Sequence, residues 1–133
     1  MDSLVKDKFS RQSTCIYTRP SIQTEWNENG KHDMICTFCT QHFIRDDIVP
    51  TGPTSIRKAT RLHYIVNMRS NDAIFGFMND FAWHCIVYQQ MFKDLQNVYP
   101  ELEFGNIHWN AGSWHIYERH YDLLKQIIEK YGN

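Results

Sequence analysis

The stretch that most constrains the fold is Arg61 to Arg69, RLHYIVNMR, in which Leu62, Tyr64, Val66 and Met68 alternate with His63, Ile65, Asn67 and Arg69. A period of two places one mostly apolar series on a single face, so the spacing predicts a strand with that face in the core. Such a face needs a covering layer. Between Asn79 and Leu95 the apolar residues Phe81, Cys85, Tyr88, Phe92 and Leu95 recur at steps of three and four, which predicts an amphipathic helix able to supply it. Pro100 lies beyond the end of that helix.

The other elements arrange themselves around this pair. Ser13 to Thr18, STCIYT, is β-branched and aromatic and is stopped by Pro20, so it reads as a short strand. Residues 21 to 34 are polar, with Asn29-Gly30 as a turn signal. Ile35 to Arg45 reads as a strand. A loop from Asp46 to Thr60 follows, punctuated by Pro50, Gly52 and Pro53, and residues 47–60 look like an insertion between the two central strands. Gly105, Asn106 and Ile107 lead into a strand from about His108 to Tyr117. Glu118 to Tyr131 closes the chain as a helix with Leu123, Leu124, Ile127 and Ile128 on one side. Strands separated by long helices imply an α+β fold, a mixed sheet packed with helices. The 133 residues share one compositional regime without repeats, which implies a single domain over 1–133.

Charge and hydropathy exclude several classes of function. The formal net charge is −1 with both signs interspersed, so sustained binding to nucleic acid or an anionic membrane is not expected, and phosphate recognition must be local. Apolar stretches such as Ile74 to Met78 are far below the roughly 20 residues of a bilayer crossing, and Met1 to Ser10 is too polar for a secretory signal. The expected location is the cytoplasm. Cysteines at 15, 36, 39 and 85 lack the density of a disulfide scaffold, so reduced thiols are expected. Aromatic residues, concentrated after Tyr64, suit a core plus a pocket for a flat ligand.

Four groups of residues could carry chemistry. Cys36 and Cys39 form a C-x-x-C pair, which admits a metal or dithiol reading, a pair of structural thiols, or one nucleophile. An odd spacing on a strand points the two side chains to opposite faces, which weighs against the first. Met68 to Asp72, MRSND, ends the central strand with an arginine and a serine, a pairing suited to a phosphate monoester and equally to a solvated strand end. His115 and Tyr117, two apart on a strand, project from one face and could bind sugar hydroxyls or simply pack. Arg11 could reach an anion or remain a surface residue.

In order along the chain, SRQ at Ser10 to Gln12, CTFCTQHFIRD at Cys36 to Asp46, MRSND with Gly76 and Asp80, and GSWHIYERH at Gly112 to His120 resemble the thymidylate synthase and deoxycytidylate hydroxymethylase family. The resemblance spans about residues 10 to 120 and implies one-carbon transfer from methylenetetrahydrofolate to C5 of a pyrimidine deoxynucleotide, with no metal. Cys36 has the family spacing, five residues before Gln41, and Cys39 does not. The resemblance makes Cys36 the thiolate that adds to C6, and Gln41 a substrate-site residue. It assigns Arg69 and Ser70 to the 5′-phosphate, His115 and Tyr117 to the deoxyribose 3′-hydroxyl, and Asp72 and Gly76 to the surroundings of the base and the folate. Arg11 matches an arginine that crosses a homodimer interface to the partner's phosphate.

At Asp80, eleven residues after Arg69, thymidylate synthases carry asparagine. An aspartate accepts from the cytosine 4-amino group, which favours dCMP over dUMP; a register one residue earlier would restore Asn79. Relative to the family, the chain lacks an N-terminal part and the C-terminal tail that closes over folate. The missing lid favours hydroxymethylation, in which water captures the exocyclic methylene. The alternatives are thymidylate synthesis from dUMP, or an inactive or split fragment that binds nucleotide and works only with a separate N-terminal piece. The wording of MRSND and YERH points to a phage-like source, hence a host cytoplasm.

Overall fold

A computed structural model of the chain describes residues 1–22, 24 and 34–132. The turn signal at Asn29-Gly30 lies outside the described residues. The elements are α1 (Asp2–Lys6), β1 (Thr14–Ile16), β2 (Thr37–Pro50), β3 (Ile56–Met68), β4 (Asn71–Asp72), α2 (Phe75–Gln96), β5 (Glu103–Ala111), β6 (Trp114–His115), a 3₁₀ turn (Glu118–His120) and α3 (Tyr121–Tyr131). Four strands form one sheet in the order β1-β2-β3-β5, antiparallel except for the parallel pair β3–β5; β4 and β6 make a separate two-stranded parallel pair. This is the α+β architecture, with a mixed sheet and α2 as its crossover helix.

The alternation in Arg61 to Arg69 becomes the core. Leu62, Tyr64, Val66 and Met68 are buried with Ile44 of β2, Tyr88, Phe92 and Leu95 of α2, Leu102 and Leu4. The inward side of α2 differs from the apolar stripe at two residues: Phe81 is 39% exposed, and His84, not Cys85, is buried. A histidine is tolerated there because its Nδ1 pairs with the Tyr64 hydroxyl at 2.8 Å. Tyr64 in turn stacks on His42, ring centroids 4.2 Å apart, and lies nearly parallel to Tyr88 at 5.8 Å. The outward side of α2 is exposed at Met78, Trp83 and Ile86, to 67, 58 and 60%.

Residues 46–60 are not a loop but the outer part of a hairpin. β2 and β3 pair continuously from Arg45↔Arg61 to Pro50↔Ile56, and only the turn between them is irregular. Cross-strand polar pairs hold this outer half, Thr60 Oγ1 donating to Asp46 at 2.8 Å and Asp47 meeting His63 at 2.8 Å. The Pro and Gly punctuation marks a turn closed by Thr51 N–H donating to the Ser55 carbonyl. Likewise, the strand expected from His108 to Tyr117 is two strands, β5 beginning at Glu103 and β6 ending at His115. Gly105 lies inside β5 at a register shift opposite Leu62 and Tyr64, and a Cβ there would come within 2.3 Å of the Leu62 carbonyl oxygen. Glycine permits that approach. The expected long helix starts at Phe75, and the last helix is preceded by a 3₁₀ turn.

His42 has a buried Nε2 with no hydrogen-bond partner among the described residues. Burial first, then the Met1 amino group and His84, push its pKa down from 6.5 to about 4. Because the unfolded chain then takes up a proton before the folded one, stability falls as pH drops from 6.5 to about 4. His42→Phe, which keeps a ring on Tyr64, is expected to flatten the largest part of that decline in urea titrations across the window; an unchanged decline would refute the assignment.

Candidate functional site

The site is assembled where β3 ends. Past Met68 the chain turns into Arg69, whose N–H donates to the Cys36 carbonyl at 2.8 Å, continuing the β2–β3 pairing across a shift between Thr37 and Cys39. The Arg69 side chain then reaches back. Its Nε donates to Ile35 O at 3.2 Å and its Nη2 to Met34 O at 2.6 Å. Met34 O also lies 4.0 Å from the Cys36 sulfur, so guanidinium and thiol share one acceptor. Of the five N–H donors of a guanidinium, two are engaged among the described residues.

Cys36 lies just before β2 rather than on it, half-buried against the core cluster. Cys39 sits on the other side of the sheet, where Asn67 Nδ2 donates to its sulfur at 3.6 Å. Both thiols are free. Among the described residues no group of three or more His, Cys, Asp or Glu side chains could hold a metal ion.

The paired strands β4 and β6 bring the other residues to the same place. Asn71 N–H donates to Ser113 O and Ala73 N–H to His115 O, each at 2.8 Å. This pairing sets Ser70 Oγ 3.4 Å from His115 Nδ1, and the His115 ring meets Tyr117 edge-on at 4.9 Å. Gly112 N–H donates to Met68 O, and a Cβ on it would meet Arg69 O at 3.1 Å, so the crossing toward β6 passes close under Arg69. Arg69, Ser70 and His115 are half-buried and Tyr117 is exposed.

Asp72 holds the start of α2. Its Oδ1 accepts from Ile74 N–H at 3.3 Å, and its Oδ2 from Phe75 and Gly76 N–H at 3.2 Å each. Burial works to raise its pKa, but the Gly76, Ile74 and Phe75 hydrogen bonds together outweigh that and hold the carboxyl below 3.8. Gly76 fits because a Cβ there would already touch Asp72 Cβ at 3.0 Å. One turn further, Asp80 is half-buried and its Oδ2 accepts from Asn71 Nδ2 at 2.9 Å, whereas Asn79 is exposed. Asn71 Oδ1 accepts from Trp109 Nε1 at 3.2 Å. Of Asn71 and Trp109, sequence spacing singles out neither: the first is one polar residue in MRSND and the second one aromatic among many.

Gln41 and Arg11 form a separate group. Gln41 lies on the sheet face opposite the buried Thr40 and His42, and its Nε2 donates to the Arg11 carbonyl at 2.7 Å; the Arg11 side chain is exposed. A cavity of about 460 Å³ is found elsewhere, between α1, β1, β2 and α2, lined by Cys15, Tyr17, Thr40 and His42 among others. No helix among the described residues is long and apolar enough to cross a membrane.

Residues 6–132 match the protein family described as thymidylate synthase. Deoxycytidylate 5-hydroxymethyltransferase of Enterobacteria phage T6 is 40% identical over 117 residues, covering 86% of this chain and 42% of the relative. The protein of the same name from Enterobacteria phage T4 is 39% identical over the same shares. The chain therefore spans about two fifths of the length of the curated relatives it matches.

Replacing the helix-holding carboxylate, Asp72→Ala, is expected to cost about 1 kcal/mol at neutral pH, the usual size of a lost helix-start cap. With the folded pKa depressed, that contribution is present above 3.8 and fades as pH falls below it. Urea titrations at neutral pH and below 3.8 check this; an equal cost at both would point to lost packing instead.

Proposed function

The chain belongs to the thymidylate synthase family, and from that premise we propose that it carries the nucleotide-binding and nucleophile-bearing part of an enzyme that hydroxymethylates dCMP at C5. The observation that supports this reading is the Met34 carbonyl, approached by both the Cys36 sulfur and the Arg69 guanidinium, at the strand end from which Ser70 meets His115. Arg69 and Ser70 would hold the 5′-phosphate, and His115 and Tyr117 the deoxyribose 3′-hydroxyl. Cys36 would add to C6 of the ring, its negative charge developing within the field of Arg69, and the addition makes C5 nucleophilic. Asp80 would accept from the cytosine 4-amino group. The phage relatives are named as deoxycytidylate 5-hydroxymethyltransferases, which agrees with an aspartate at this position.

The family takes methylenetetrahydrofolate as co-substrate, the source of the one-carbon unit. An ionised, half-buried Asp72, fixed by three helix N–H groups, retains lone pairs suited to accept from a pterin N–H, and Gly76 keeps the backbone beside it free of a side chain. These residues fit the role. For the homodimer, the open sheet face offers a surface for a second copy: Phe43 and His63 stack on it at 5.2 Å, with His108 exposed beside them. Arg11, whose carbonyl accepts from Gln41 on that face, would reach the phosphate of the second copy.

A second reading rests on the exposed apolar side of α2. Met78, Trp83 and Ile86 form a surface that in the longer relatives has further chain available to cover it. In that reading this chain binds nucleotide and becomes active when the rest of the relatives' length is supplied.

Tritium release from C5-labelled dCMP and dUMP, with and without methylenetetrahydrofolate, tests the proposal. Preferential release from dCMP, abolished in Cys36→Ser and retained in Cys39→Ser, is expected; equal loss in both variants would undo the assignment of the nucleophile. Release that appears only after addition of a polypeptide covering the remainder of the phage T4 relative would favour the second reading. Release preferring dUMP in the unaltered chain would instead indicate thymidylate synthesis.

A further inference from the structure

We propose that Asn71, aligned by Trp109, is the positioning residue that decides which oxygen of Asp80 faces the base, and so sets the preference for cytosine; the inference rests on the base-reading role given to Asp80 above. The indole N–H of Trp109 can only donate, and it donates to Asn71 Oδ1 at 3.2 Å. That fixes the orientation of the Asn71 amide. Its NH₂ end is therefore turned to Asp80, where it donates to Oδ2 at 2.9 Å.

The consequence lies in Asp80. An amide NH₂ is a donor only, so Oδ2 must present a lone pair to it, and any proton on this carboxyl is confined to Oδ1. Asp80 thus offers the base a single oxygen whose character is set, an acceptor for the 4-amino group when ionised and a donor to N3 when protonated. Both suit cytosine. With the Asn71 amide reversed, its carbonyl would either repel an ionised Oδ2, turning the carboxylate out of place beneath the base, or require the proton on Oδ2 and so bar Oδ1 from donating to N3.

The surroundings hold this arrangement in place. Asn71 is 2% exposed, and its backbone is pinned by the Ser113 carbonyl at 2.8 Å. A side chain on residue 76 would crowd the Asn71 amide at 3.4 Å, which glycine avoids. Trp109 is wedged edge-on against Phe77 at 5.5 Å and His84 at 5.4 Å, so the indole cannot easily swing. His84, one turn beyond Asp80, is itself fixed by Tyr64 and feels the Asp80 charge.

The test compares dissociation constants of the full chain for dCMP, dUMP and the base-free probe 2-deoxyribose 5-phosphate, by calorimetry. Trp109→Phe keeps a ring against Phe77 and His84 but removes the donor, and Asn71→Ser removes the amide. Each is expected to lower the ratio of dCMP to dUMP affinity about tenfold, the effect of one lost hydrogen bond to a charged group, while binding of the base-free probe is unchanged. Asp80→Asn serves as the reference. If it shifts the ratio and neither Trp109→Phe nor Asn71→Ser does, the relay is overturned and the base-reading role of Asp80 stands. If Asp80→Asn leaves the ratio unchanged, that role fails and the relay with it. Equal weakening of all three ligands in both relay variants would make Asn71 and Trp109 structural and also overturn the proposal. Thermal melts identify a variant that fails to fold, in which case the other decides.

Discussion

The site depends on one side chain turning back on its own sheet. Arg69 leaves the end of β3 and donates to the carbonyls of Met34 and Ile35, while its backbone N–H takes the carbonyl of Cys36. These bonds tie the approach to β2 to the exit from β3 at the point where their register shifts. An arginine can satisfy several backbone carbonyls with one rigid fork. Local backbone satisfaction and, in the proposed function, anion recognition would be served by one residue, with the Cys36 thiol approaching the same Met34 carbonyl.

A second layer of order comes from the start of α2. A 22-residue helix beginning with Phe, Gly, Phe and Met has little intrinsic reason to start there, and Asp72 supplies one by accepting three of its free N–H groups. The position of Asp80 follows from that start. From there the inward side runs through His84 and Tyr88 to Phe92 and Leu95, packed on Tyr64 and Leu62. The polar atoms are almost all paired within this stack: Tyr64 with His84, Tyr88 with the Leu62 carbonyl at 2.6 Å, and Gly105 N–H with the Tyr88 hydroxyl at 2.9 Å. The core that supports the site is therefore specified by hydrogen bonds as well as by apolar burial.

How much of this the sequence discloses follows from which side chains report a periodic environment. The central strand is legible because one of its faces is wholly buried and the other is not, and its core residues Leu62, Tyr64, Val66 and Met68 stand where the alternation puts them. The outer halves of β2 and β3 are not legible. Ile48 and Ile56 are 65 and 67% exposed there, Ala59 alone among residues 46–60 is buried, and the Pro and Gly of the turn dominate the pattern. The burial of His84 depends on a hydroxyl 20 residues away, which spacing cannot reveal. The motif residues Arg69, Ser70 and His115 do come together, but the partners that orient Arg69 and Asp80 escape notice: backbone carbonyls carry no residue type, and Asn71 and Trp109 lie 38 positions apart.

The most direct measurement of the central idea, a Cys36 thiol held in the nucleotide site by Arg69, is alkylation of the four cysteines by iodoacetamide, followed peptide by peptide with and without dCMP. Protection of Cys36 by dCMP, with Cys15, Cys39 and Cys85 modified at unchanged rates, is expected. Cys36 modified equally fast in the presence of bound dCMP would contradict it.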